Sequence, residues 1–231
     1  MATSQPALAT GRGLVAVRIT RLAADGSRDC SETDGTAYTL CPISIANSED
    51  IDSGETQVKR CGDGSTFATY TTDDTLTGIE LTLTISPYDL ELIEICTGAT
   101  PLLDGGDIIG MSGGQEFYDI PTEVHAWQES YVGAAQSASP LNYWHHAFPA
   151  VTWRRQVQSL EEGFTDVVMI GKVVGNLNLG NGSFLDIPVE AFENSEELHA
   201  FWRDSDLPDA DTAPYNNGLG GGYIDTPACA S

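Results

Sequence analysis

From Ile79 to Ile85 the chain alternates without a break, placing Ile79, Leu81, Leu83 and Ile85 on one face of an extended strand and Glu80, Thr82 and Thr84 on the other. Such a segment buries one face and leaves its polar face wet or set against another chain. The tract that follows has the features of a helix start. Ser86 is placed as the N-cap, Pro87 at the first helical position, and Asp89 near the positive end of the helix. The helix is predicted to run through Leu90, Leu92, Ile93, Ile95 and Cys96 to a stop at Gly98, and its broad apolar coverage predicts that it lies against a sheet.

Other segments also read as strands: Leu14 to Leu22, Tyr38 to Ile45, Gln57 to Arg60, Phe67 to Tyr70, Thr122–Glu129, Trp144–Val157 and Phe164–Val174. Within the last, Val167-Val168-Met169-Ile170 is a continuous apolar run, as expected of a strand covered on both faces. The residues around 43–70 predict an extended hairpin whose acidic, mobile tip is Ala46–Thr56. A second helix is predicted at Ser195–Arg203, because Asn194 and Glu197 form a capping-box pattern and Leu198, Phe201 and Trp202 have helical spacing. With 24 Gly and 11 Pro marking turns, the chain is expected to be a mainly β, antiparallel sandwich or barrel with one or two flanking helices. Residues 1–12 read as an N-terminal arm, 13–203 as the β domain and 204–231 as a C-terminal arm.

Charge narrows the function. Against 34 Asp and Glu stand 10 Lys and Arg, a formal net charge of −24, and no base occurs from Cys61 through Trp153. Binding nucleic acid by neutralising its phosphates is not expected from that balance. No apolar run approaches the roughly 18 residues of a membrane helix, and the first residues lack a basic, apolar leader, so a chain made and kept in the cytoplasm is expected. The five cysteines, Cys30, Cys41, Cys61, Cys96 and Cys229, are odd in number and have no zinc-type spacing. They are expected to be buried or free thiols, with a disulfide among Cys30, Cys41 and Cys61 as the alternative.

Motifs that suggest catalysis or ligand binding have simpler explanations. Gly110-Met111-Ser112-Gly113-Gly114 matches a nucleophile elbow in letters, but no convincing helix follows it, and a glycine turn is the better account. His125, in Glu123-Val124-His125-Ala126-Trp127, fits an exposed sheet face as well as a general base. His145 and His146 point to opposite faces of one strand and cannot share a metal unless the backbone bends. Asp204, Asp206, Asp209 and Asp211 lack the glycine and glutamate of a calcium loop. Gly175 to Gly182 lacks the Lys-Ser/Thr of a phosphate loop and reads as a hairpin turn. Accordingly no catalytic residue, cofactor site or metal site is assigned, and an enzyme is not expected.

The order of the pieces carries more information than any motif. Val15-Ala16-Val17-Arg18-Ile19-Thr20-Arg21-Leu22-Ala23-Ala24-Asp25-Gly26, an acidic hairpin, Gly78 to Leu83 leading to Ser86-Pro87-Tyr88-Asp89-Leu90-Glu91-Leu92-Ile93, and Thr97-Gly98 together resemble the major tail proteins of long-tailed phages infecting actinobacteria. Val124-His125-Ala126-Trp127 and Tyr143-Trp144-His145-His146-Ala147-Phe148-Pro149 resemble the same group, and the likeness spans roughly residues 13–180 as short matches. It implies a virion protein of the tail-tube type: six copies close into a ring, and rings stack helically with other tail proteins into the tube that conducts the genome during ejection. DNA passes through without specific binding, no membrane is involved, and assembly takes place in the host cytoplasm. Six copies would carry roughly 144 net negative charges, six times 24, so acidic walls would let DNA slide. Glu80, Thr82 and Thr84 would then line the lumen or meet a neighbour. The scarce bases Arg18, Arg21, Lys59, Arg60, Arg154 and Arg155 would pair with acids across chains, the plainer alternative being ordinary surface ion pairs. A capsid decoration or tail-terminator protein, or a monomeric β-sandwich that binds a ligand, are the competing assignments.

Overall fold

A computed structural model of the chain describes residues 10–29, 36–39, 42–85, 90–105, 107–112, 121–131, 143–155, 166–176, 197–204 and 221–224. In chain order its elements are β1 (Thr10–Arg21), β2 (Thr36–Thr39), β3 (Pro42–Asp52), β4 (Thr56–Arg60), β5 (Thr66–Thr71), β6 (Thr75–Ile85), α1 (Leu90–Thr97), β7 (Pro101–Asp104), β8 (Asp107–Met111), β9 (Thr122–Tyr131), β10 (Tyr143–Arg155), β11 (Val167–Val173), β12 (Ala200–Asp204) and β13 (Gly221–Ile224). Nine strands form one antiparallel sheet in the order β13-β2-β1-β9-β10-β11-β6-β3, with β12 paired to β10. The sheet curls into a half-barrel, so the mainly β, antiparallel expectation holds. The ribbons β4–β5 and β7–β8 stand apart from it as two-stranded sheets.

Alternation explains the core. Val17 and Ile19 of β1 lie opposite Ala126 and Val124 of β9, and Leu81 and Leu83 of β6 lie opposite Gly171 and Met169 of β11. Gly171 apart, these side chains form one buried apolar layer with Phe148, Val151 and Trp153 of β10. Helix α1 closes it with Leu92, Ile93, Ile95 and Cys96, as its apolar coverage predicts. Burying each such side chain is worth about 1.5–3 kcal/mol. The helix ends where expected. Gly98 takes a positive φ of 61° and its N–H donates to the Glu94 carbonyl at 2.6 Å. The expected N-terminal cap, Ser86 to Asp89, lies outside the described residues.

Pro149 has no N–H to offer a ladder, and the register of β9 against β10 shifts between Phe148 and Val151. On either side of that shift β10 has different partners: its first half pairs with β12 and its second half with β11. At Gly171 of β11 a Cβ would stand 2.4 Å from Val151 Cγ1 and 2.8 Å from the Trp153 ring, so only a glycine lets the indole lie on that backbone.

Several expectations are corrected. Tyr38 to Ile45 is two strands, with β2 beside β1 and β3 beside β6 at the far edge of the sheet. Ala46 to Asp52 is no tip, because it continues β3 along β6; the hairpin turns instead at Cys61 to Ser65. Residues 200–203 are strand rather than helix. The free edge of β10 captures them, His145 opposite Trp202 and His146 opposite Phe201, and this long-range ladder outweighs the local capping signal. Val167 and Met169 are buried but Val168 and Ile170 only half-buried, so β11 is fully covered on one face alone. Within the tract read as a C-terminal arm, Gly221–Ile224 joins the sheet edge beside β2. The Gly110–Ser112 tract is the end of the β7–β8 ribbon, with Ser112 N–H donating to the Thr100 carbonyl at 3.0 Å.

Candidate assembly surface

One face of the sheet is split in character. Along β6, Glu80 is exposed and Thr82 and Thr84 are half-buried, all on the side away from the core, as their alternation requires. Lys172 of β11 lies opposite Glu80, and Arg154 of β10 reaches it with Nη2 3.6 Å from Oε2. Both partners are more than half exposed, at 58% and 54%, so the pair is a weak surface contact. Arg154 therefore pairs within its own chain.

Toward β1, β9 and β10 the same side of the sheet is buried and charged. Glu123, 1% exposed, receives a two-pronged hydrogen bond from Arg28, whose Nε and Nη2 each donate at 2.6 Å. His125 Nε2 makes a further contact with Glu123 Oε1. On its other side His125 Nδ1 is 2.6 Å from His145 Nε2. Arg18 places an Nη2 4.0 Å from Glu123 and its guanidinium 5.6 Å from the Trp127 ring centre, a cation–π distance. The His145 ring lies between Trp127 and Trp202, its centre 4.2 Å from each and tilted by 31° and 45° to their planes. Burial alone would raise the Glu123 carboxyl. The charges of His125 and Arg28 and the hydrogen bonds of both outweigh burial and lower it from 4.5 to about 2. The network ties β1, β9, β10, β12 and the turn carrying Arg28 into one unit. The strand of His125 is thus not an exposed face, and Arg18 is held within its own chain rather than free to meet a neighbour.

His146 faces the opposite way from His145, as alternation requires, and its Nδ1 lies 3.1 Å from His199 Nε2. Burial lowers both, His199 to about 4 with help from the neighbouring His146 charge. The two rings border an open cavity of about 430 Å³ whose wall also includes Leu14, Ile45, Gln128 and Phe148. Among the described residues no group of three or more His, Cys, Asp or Glu is arranged to hold a metal.

Lys59 and Arg60 lie on the β4–β5 ribbon, which is exposed along its whole length. Phe67 is 71% and Tyr70 66% exposed, and the Lys59 ammonium lies 5.9 Å from the Phe67 ring centre. Cys61 is a free, exposed thiol at the ribbon's turn and Cys96 a free, buried one, so Cys61 forms no disulfide. Cys30, Cys41 and Cys229 lie outside the described residues, as do Asp206, Asp209 and Asp211. Arg21 is half-buried at the end of β1, and the Arg155 side chain is outside the description. Of the six bases singled out from sequence, the structure groups Lys59 with Arg60 and sets Arg18 and Arg154 apart in separate contacts. The Glu123 network had a partial signal in the alternation of Glu123, His125 and Trp127. Its decisive partner, Arg28, is 95 residues away, and spacing could not connect the two.

No protein-family model matches the chain, and no curated protein matches it.

Proposed function

We propose that the chain is a virion structural protein that polymerises as stacked rings into a tail tube and conducts the genome. The observation that carries this is the β4–β5 ribbon, a two-stranded arm with no core of its own that presents Val58, Phe67 and Tyr70 to solvent. A lone hairpin is marginal in water and apolar surface of this kind calls for a partner, which in a self-assembling protein is another copy. Two further features support the same function: the sheet is an open half-barrel whose edge strand β3 pairs on one side alone among the described residues, and the face of Glu80, Thr82 and Thr84 points away from the core with Glu80 exposed. The net charge of −24 suits a wall past which DNA slides without sticking. In this function the protein is not an enzyme, its partners are itself and other tail proteins, and its place is the virion tail.

The test is negative-stain electron microscopy of the purified protein over a range of salt. Rings or hollow tubes are expected once the overall repulsion is screened. A strict monomer at every salt and protein concentration would reject the proposal. That outcome would favour a ligand-binding β module, for which the cavity beside His146 and His199 is the specific observation.

A further inference from the structure

The arm is electrically polarised. Its outer half carries Lys59 and Arg60, both exposed, whereas around its root lie Glu49, Asp50, Asp52, Glu55, Asp73 and Asp74, all exposed as well. Asp63, in the turn, has its carboxylate engaged by the Ser65 N–H at 2.9 Å and the Ser65 hydroxyl at 2.6 Å. Two bases against that single acid make the outer arm a locally positive spot on a chain of net charge −24.

Tip and root of one copy cannot neutralise each other. Four residues of strand separate Glu55 from Lys59, about 13 Å at the rise of an extended chain. That exceeds the roughly 8 Å over which salt screens exposed charges at physiological strength. The β4–β5 ladder, from Thr56 opposite Thr71 to Arg60 opposite Thr66 with one register shift between Lys59 and Arg60, keeps these bases at the far end of the ribbon from its root. Among the described residues no Lys or Arg pairs with a root carboxylate.

We infer that the basic arm tip of one copy docks on the acidic arm root of a second copy. The inference rests on the assembly proposed above and names the contact that makes it. Charge complementarity selects the site, while Val58, Phe67 and Tyr70 supply the apolar area that is buried alongside. Because tip and root are different patches, the contact is head-to-tail; it closes into rings where the rotation allows and otherwise propagates. It also supplies attraction between subunits that otherwise repel.

The experiment uses the full chain at a salt concentration where the wild type assembles. Lys59→Glu with Arg60→Glu reverses the tip, and Asp50→Lys, Asp52→Lys, Glu55→Lys and Asp73→Lys together reverse the root. Each set alone is expected to reduce the sedimentable fraction about tenfold or more, corresponding to at least about one decade in the contact's equilibrium constant. Both sets together are expected to restore it. As these side chains are exposed, far-UV circular dichroism should match the wild type. In a second measurement, a bismaleimide should link Cys61 to Asp52→Cys of another copy and yield a ladder of multimers. Unchanged assembly in both reversed variants, or a combined variant as defective as either set alone, would overturn the docking while leaving the tube function standing. A wild type that never assembles would instead remove the tube function on which the docking depends.

Discussion

Replacing Glu123 by Gln keeps the shape of the side chain and removes its charge. Arg28, hydrogen-bonded to both carboxylate oxygens at 2.6 Å, then faces a neutral amide in a site with 1% exposure. Two routes give the magnitude. Breaking one side of a buried, hydrogen-bonded ion pair costs about 3–5 kcal/mol. Independently, a carboxyl lowered from 4.5 to about 2 contributes about 3 kcal/mol of stability at neutral pH. The routes agree at about 3 kcal/mol, a large part of the roughly 5–15 kcal/mol that holds a typical domain folded. Since the folded-state value is the depressed one, the contribution is complete above 4.5 and is lost as pH falls toward about 2. Urea unfolding at pH 7 and at steps down through that window, with protein dilute enough to stay unassembled, measures both effects. Glu123→Gln should lower stability by about 3 kcal/mol at pH 7 and should flatten the acid slope, so that wild type and variant converge near pH 2. A loss below about 1 kcal/mol, or a variant with the wild-type slope, would refute the account of this network.

Gly171→Ala should cost about 1–3 kcal/mol in urea unfolding, because its Cβ would stand 2.4 Å from Val151 and 2.8 Å from the Trp153 ring. His199 has a folded-state value lowered from 6.5 to about 4, so its neutral form is favoured by folding; the stability it contributes is complete above 6.5 and lost as pH falls to about 4. His199→Gln should therefore flatten the unfolding midpoint across that window while leaving the slope below it unchanged. Arg154→Ala should change stability by less than about 1 kcal/mol, since its partner Glu80 is as exposed as it is.

What could be read in advance was whatever local periodicity controls. The faces of β6, the opposed orientation of His145 and His146, the helix end at Gly98 and the existence of a hairpin after β3 all follow from alternation or turn chemistry within a few residues. What could not be read depends on distant partners. Phe201 and Trp202 have helical spacing, yet the open ladder of β10 turns them into a strand. Ala46 to Asp52 is as polar and acidic as a loop, yet β6 lends it a ladder through Asp52. A polar strand is tolerated there because β3 lies at the edge of the sheet, where its side chains meet water and the backbone alone must be satisfied.

The same dependence on partners governs how the chain uses its 10 bases. Arg18 and Arg28 are buried around Glu123, where they hold β1, β9 and the turn between β1 and β2 to one another. Arg154 and Lys172 flank Glu80 on the wet face of the sheet, and among the bases whose side chains are described Lys59 and Arg60 are the exposed pair away from that face. Chain-wide repulsion acts between any two copies in any orientation, so attraction has effect only where it is concentrated. On the proposed docking, placing Lys59 and Arg60 together near the end of the ribbon would bring them to a neighbour's surface before the acidic bodies meet, and would give the two bases control over the direction of approach. Spread over the sheet, the same two charges would only reduce the net charge slightly and specify no contact.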